Sequence, residues 1–146
     1  MDKKTFYQIK KDFAWVRKDS RVLAVLLFGS TVADMHHRKS DIDLALVAPG
    51  LSHFYYSCKN ISNESVNASD LLRKVFRKVN TSIRNYDVHL FEELPLNMQI
   101  NIIHNHKIVY TADKPGMFEY FYHYRKRWDD QKHRNTVSKD QLISSL

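Results

Sequence analysis

Hydrophobic and polar positions along the chain alternate between two periods, and the switches between them outline the elements. Residues 3–18 place Phe6, Ile9, Phe13, Ala14 and Val16 at three- and four-residue intervals, which predicts an amphipathic helix. "RVLAVLLFG" (21–29) is a continuous apolar run closed by a glycine and predicts a strand covered on both faces. "DIDLALV" (41–47) predicts a second strand, stopped by Pro49 and Gly50. Between them, 30–36 could open a short helix, and 51–62 reads as irregular. Val66, Leu71, Leu72, Val75, Phe76 and Val79 form a helical stripe with a basic opposite face. "RNYDVHLF" (84–91) alternates as a third strand, with Tyr86, Val88 and Leu90 on one face and Asp87 and His89 on the other. A helix opened by Pro95 runs to about 105, "KIVYT" (107–111) is a short strand or turn, and an aromatic helix follows Pro115 and Gly116. The polar last ten residues should fray. Strands and helices in this order predict an α+β fold, a small mixed sheet with helices packed on it.

Composition adds limits. The 146 residues suit one domain with a core of ordinary size, and 43% hydrophobic with 27% charged residues excludes a disordered chain. No apolar run is long enough to span a bilayer, and "DKKTFYQIKKDF" has no apolar signal region. The lone Cys58 excludes an internal disulfide and a cysteine-rich zinc site. A cytoplasmic protein with no membrane association is the expectation. The net charge of +7, from 23 Lys and Arg against 16 Asp and Glu, is concentrated in 73–84 and 124–134. Such a surface suits a nucleotide, an acidic protein or, less well, a nucleic acid.

The chemistry concentrates in residues 28–47, "FGSTVADMHHRKSDIDLALV". Asp41 and Asp43 sit two apart inside an apolar strand, so both project from one face, roughly 6.6 Å apart at ~3.3 Å per residue. Carboxylates held so close repel unless a cation or a shared proton lies between them. Magnesium takes oxygen ligands from one or two carboxylates and phosphate oxygens. If the third strand lies beside the second, Asp87 joins the pair, and three carboxylates around two metal ions suit in-line phosphoryl or nucleotidyl transfer. Gly29 and Ser30, at the end of the first strand, offer close backbone approach and a hydroxyl for triphosphate oxygens. His36, His37, His104 and His106 lack the companions of a metal centre and read as solvated or packed side chains.

"LLFGS", ten residues, then "DIDLALV" resembles the G-S-X10-D-X-D signature of the DNA polymerase β-like nucleotidyltransferase superfamily. With "YDVHLFEELPLNMQINIIHNHKIVY", the chain is similar over about residues 5–112 to the minimal nucleotidyltransferases, the antitoxins encoded beside HEPN-domain RNase toxins. The resemblance implies a nucleotidyltransferase domain over 1–112, continued in one domain by an aromatic and basic helix and tail over 113–146. It implies Gly29 and Ser30 as nucleotide-binding residues, and Asp41, Asp43 and Asp87 as catalytic residues and candidate magnesium ligands, Asp87 acting as general base or metal ligand. It implies transfer of AMP from ATP, or of a nucleoside monophosphate from another NTP, to a hydroxyl on a HEPN-domain partner. A homo-oligomer is compatible with all of this. Where many relatives have Ala-Arg-Gly, positions 32–34 are Val-Ala-Asp. That departure keeps open a second expectation, a catalytically weak binding module that neutralises its partner by contact.

Overall fold

The computed structural model describes residues 2–29, 41–52 and 67–144, with side chains as far as Arg134. Helix α1 (Lys3–Asp12) is capped by Asp2, whose carboxylate accepts from Thr5 N at 2.7 Å. The helix predicted over 3–18 ends earlier than its pattern: Ala14–Lys18 tightens into a 3-10 turn, which still buries Val16. Strands β1 (Ala24–Phe28), β2 (Ile42–Val47), β3 (Tyr86–Leu90) and β4 (Lys107–Thr111) form one mixed sheet in the order β3-β2-β1-β4. The β1–β2 and β1–β4 pairs are antiparallel and the β2–β3 pair is parallel.

Helices α2 (Ala68–Lys78), α3 (Thr81–Arg84), α4 (Leu96–His104) and α5 (Lys114–Ser144) complete the fold. Asn67 and Asn80 cap α2 and α3, and Asn85, in the left-handed region at φ 57°, ends α3 and turns the chain into β3. The sheet is a middle layer with a core on each face. Against one face, Ile9, Phe13 and Val16 join Leu71, Val75 and Val79 of α2 over Val25, Leu27, Leu44 and Leu46. Against the other, Ile100 and Ile102 of α4 and Met117, Tyr120, Phe121 and Tyr124 of α5 cover Ala24, Leu26, Ala45 and Val47. Two covered faces explain why β1 is apolar at every position.

Three local expectations change. Phe76, counted in the apolar stripe of α2, stands 59% exposed, because it lies about 100° round the helix from the buried Val75. The four-residue α3 was not marked by any apolar period. The polar C-terminal tail continues α5 as helix through Ser144. The short helix expected at 30–36 and Val66 of the helical stripe lie outside the described residues.

The end of β2 and the exit of β3 are tied to α5 by a carboxyl group. Ala48 N donates to Glu92 Oε1 at 3.0 Å, Tyr120 Oη donates to Glu92 Oε2 at 2.6 Å, and the two hydroxyls of Tyr120 and Tyr124 lie 2.7 Å apart. Burial pushes the Glu92 carboxyl up to about 8. On the opposite side of the sheet, Asp19 holds Arg21 (2.6 Å) and Lys74 (3.0 Å), fixing the approach to β1 against α2.

Candidate active site

Strand alternation sends Ile42, Leu44 and Leu46 into one core and Asp43, Ala45 and Val47 to the opposite face. The parallel register sets Asp43 beside Asp87 and Ala45 beside His89, and the antiparallel register sets Asp43 beside Phe28. Asp43, Asp87 and His89 therefore converge on the α4/α5 face of the sheet, where β2 and β3 begin and β1 ends. Each offers a ligand atom, and these atoms lie within 4.8 Å of one another. His89 Nε2 is 3.0 Å from Asp87 Oδ2.

Gly29 closes this corner. Its φ of 80° lies in the region open to glycine, and a Cβ added there would stand 2.3 Å from Asp43 Oδ2. A side chain at this position would press on the carboxylate, so the glycine keeps the approach to Asp43 clear. Burial first, and the Asp87 carboxylate second, raise the Asp43 carboxyl above its ordinary value, while His89 acts in the opposite direction. Oxygen donors crowded to the point of mutual repulsion, joined by one imidazole nitrogen, fit a divalent cation.

Asp41 precedes the first residue of β2 and is exposed, outside the group formed by Asp43, Asp87 and His89; its charge still contributes to raising Asp43. Ser30 lies outside the described residues, as do His36 and His37. His89 was visible in the sequence as the strand-face companion of Asp87 but carried no role. The signal that finds it is the register that brings Asp87 next to Asp43. His106 is packed, its Nδ1 within 2.9 Å of Ile102 O, in line with the structural role expected for it.

The chain has known counterparts. The family described as Polymerase beta, Nucleotidyltransferase matches residues 10–115. A protein of Methanocaldococcus jannaschii, named provisionally as a protein adenylyltransferase, is 34% identical over 115 residues, covering 79% of this chain and 76% of that protein. A toxin–antitoxin crystal structure with AMP-PNP superposes with a TM-score of 0.61 at 14% identity, over 92% of this chain and 98% of the other. A Shewanella oneidensis tri-AMPylated HEPN toxin in complex with its MNT antitoxin gives a match with a TM-score of 0.56 at 15% identity, over 98% of this chain and 99% of the other. The fold and the family match identify an enzyme of the nucleotidyl-transferring class. The chain belongs to the polymerase β-like nucleotidyltransferase family, as its Gly-Ser and Asp-x-Asp spacing implied. Among the described residues, no helix is long and apolar enough to cross a membrane.

Proposed function

We propose that this chain transfers AMP from ATP to a hydroxyl group of a HEPN-domain protein, acting as the antitoxin of that partner. The observation that carries the reading is the side-by-side placement of Asp43 and Asp87 across the β2–β3 pair, at the foot of β1 and below Gly29.

The acceptor oxygen attacks the α-phosphorus of the nucleotide in line, the bond to the β-phosphate oxygen breaks, and pyrophosphate leaves. Asp87, exposed at the rim of the cleft, accepts the proton of the attacking hydroxyl. Asp43, half-buried and fixed by the sheet, is the anchoring carboxylate, and Asp41 at the mouth of β2 adds a second. Gly29 lets the triphosphate approach the end of β1, and Ser30 supplies a hydroxyl to it. Asp41, Asp43 and Asp87 would hold a magnesium ion, which when bound would supply charge neutralisation of the phosphates and activation of the attacking oxygen.

The partner surface continues on the same side of the sheet. Of the five aromatic residues clustered at the start of α5, Tyr120, Phe121 and Tyr124 are buried, while Phe118 (48% exposed) and Tyr122 (56%) face outward one turn apart, with Arg125 and Lys126 exposed beyond them. An apolar patch edged by cations suits a partner with an acidic rim. The test is co-expression with the product of the neighbouring gene, followed by intact-mass measurement of that product. One or more added AMP units, on a tyrosine hydroxyl and lost in the Asp43→Asn variant, are expected. The second reading, neutralisation by contact alone, is favoured by Val32-Ala33-Asp34 standing where many relatives carry Ala-Arg-Gly. It predicts a stable complex with no added mass. A neighbour that neither binds nor gains mass, and whose toxicity is unchanged, removes both readings.

A further inference from the structure

His89 brings a donor of a different chemical kind to the carboxylate corner. Its side chain is half-buried, with the ring centroid 6.1 Å from that of Phe28, so it stands on a fixed strand against a buried wall. Its Nε2 faces Asp87 Oδ2 at 3.0 Å and lies within 4.8 Å of the ligand oxygens of both aspartates. Among the described residues, no other group of three or more acidic, histidine or cysteine side chains converges in this way.

From this placement we infer that His89 is an additional protein ligand of the divalent cation held by the aspartates of this corner, and that it tilts the site from magnesium toward manganese. The inference rests on the reading of this corner as the nucleotidyltransferase metal site. Carboxylates alone suit magnesium, calcium and manganese about equally in kind, whereas imidazole suits the first-row transition ions. Magnesium gives up its water reluctantly and prefers oxygen. A site of carboxylates and one imidazole therefore keeps magnesium's oxygen contacts and adds a contact that the transition ion uses better. Manganese is the member of that series that also accepts carboxylate-rich sites, so against magnesium it keeps the oxygen contacts and gains the nitrogen one. The sheet register makes the set rigid: Asp87 and His89 are two residues apart on β3, and Asp43 is the direct neighbour of Asp87 on β2.

The experiment uses the full chain without nucleotide, so that no adenine nitrogen competes. Mn2+ is titrated by electron paramagnetic resonance, Mg2+ is scored by its displacement of Mn2+, and the bound Mn2+ is examined for nitrogen coupling by spin-echo modulation. The wild-type chain should show coupling to one imidazole nitrogen. His89→Ala should lose it and reduce the Mn2+ over Mg2+ preference by about tenfold or more, the scale on which ligand-shell changes act. His89→Phe keeps the ring volume against Phe28 and should do the same, which separates ligation from packing. Bound Mn2+ without nitrogen coupling, or variants that weaken both ions equally, would assign His89 to orienting Asp87 only and overturn the inference. Asp43→Asn tells the two levels apart: it should abolish binding of both ions. If Asp43→Asn leaves both ions bound, or if the wild-type chain binds neither, the reading of the carboxylate corner fails as well.

Discussion

The two ends of the sheet each hold a carboxyl group raised by burial, and they treat it in opposite ways. Where β2 and β3 finish, Glu92 is enclosed and both oxygens have protein partners, Ala48 N on one and Tyr120 Oη on the other. Where β2 and β3 begin, roughly 16 Å away along five residues of strand, Asp43 faces a second aspartate and one histidine, with Asp87 open to solvent. An acid supplied with internal donors is finished as structure: it ties three elements and asks nothing of its surroundings. Acids pressed together under a clear glycine corner are completed only by something from outside the chain. The same desolvation therefore serves cohesion at one end and binding at the other.

The sharpest break of this contrast is at the open end. Asp43→Asn should lower AMP transfer by about a thousandfold, since a metal-anchoring carboxylate supplies several kcal/mol of transition-state stabilisation. The melting temperature of the ligand-free chain should stay level or rise, because the substitution removes a repulsion. Measured transfer near the wild-type rate, or a large loss of stability, would show Asp43 to be a structural acid like Glu92.

Asp87 should separate chemistry from binding. Asp87→Ala is expected to cost about a hundredfold in rate, the usual scale for a general base, while cation-dependent nucleotide binding persists. Nucleotide binding lost together with rate would make Asp87 chiefly a ligand; an unchanged rate would take it out of the reaction.

A third carboxylate sets the scale for purely structural acids. Asp19 is 7% exposed and holds two cations, and its bond with the Arg21 guanidinium keeps its carboxyl far below the ordinary value. Its contribution is thus present above about pH 4 and lost as pH falls further. Asp19→Asn should cost about 1–3 kcal/mol at neutral pH, less than for a fully buried pair because Arg21 and Lys74 are each about a third exposed. It should also flatten the acid limb of the unfolding curve, with activity per folded molecule unchanged.

Much of this contrast was legible in the sequence at one end and little at the other. Alternation along 84–91 placed Asp87 and His89 opposite the core residues Tyr86, Val88 and Leu90, as found, because a period of two is local information. What places Asp87 beside Asp43 is the β2–β3 register, set by a crossover through α2 that no short pattern encodes. Glu92 reads as an ordinary acid in "FEELP"; its role depends on Tyr120 of α5 and Ala48, 28 and 44 residues distant. Phe76 misled for the converse reason: an apolar residue next to a buried one passes for core until the helix is rolled against its sheet.

At pH 5 the last variant has the smallest expected effect, and its pH dependence is the most specific test of the closed end. The Glu92 carboxyl titrates near 8 when folded against an ordinary value of 4.5. Between those values the folded chain holds a proton that the unfolded chain has released, so this group makes stability fall as pH rises from about 4.5 to 8 and adds no slope above that. Glu92→Gln is neutral at every pH and keeps the shape. Its amide oxygen can accept from Ala48 N, and its amide nitrogen can donate to Tyr120 Oη, which then donates to Tyr124. At pH 5, where the native carboxyl is protonated as well, the variant should lie within about 1 kcal/mol of wild type, the scale of one rearranged hydrogen bond. Toward pH 8 it should become the more stable of the two, and the difference between their stability curves should trace the Glu92 titration, other groups cancelling. Chemical denaturation of both proteins at intervals from pH 5 to 9 measures that difference. Parallel curves would mean that Glu92 is already ionised in the folded chain at pH 5, with Tyr120 and Ala48 N stabilising a charge, and the two ends of the sheet would then differ in degree of partnering alone.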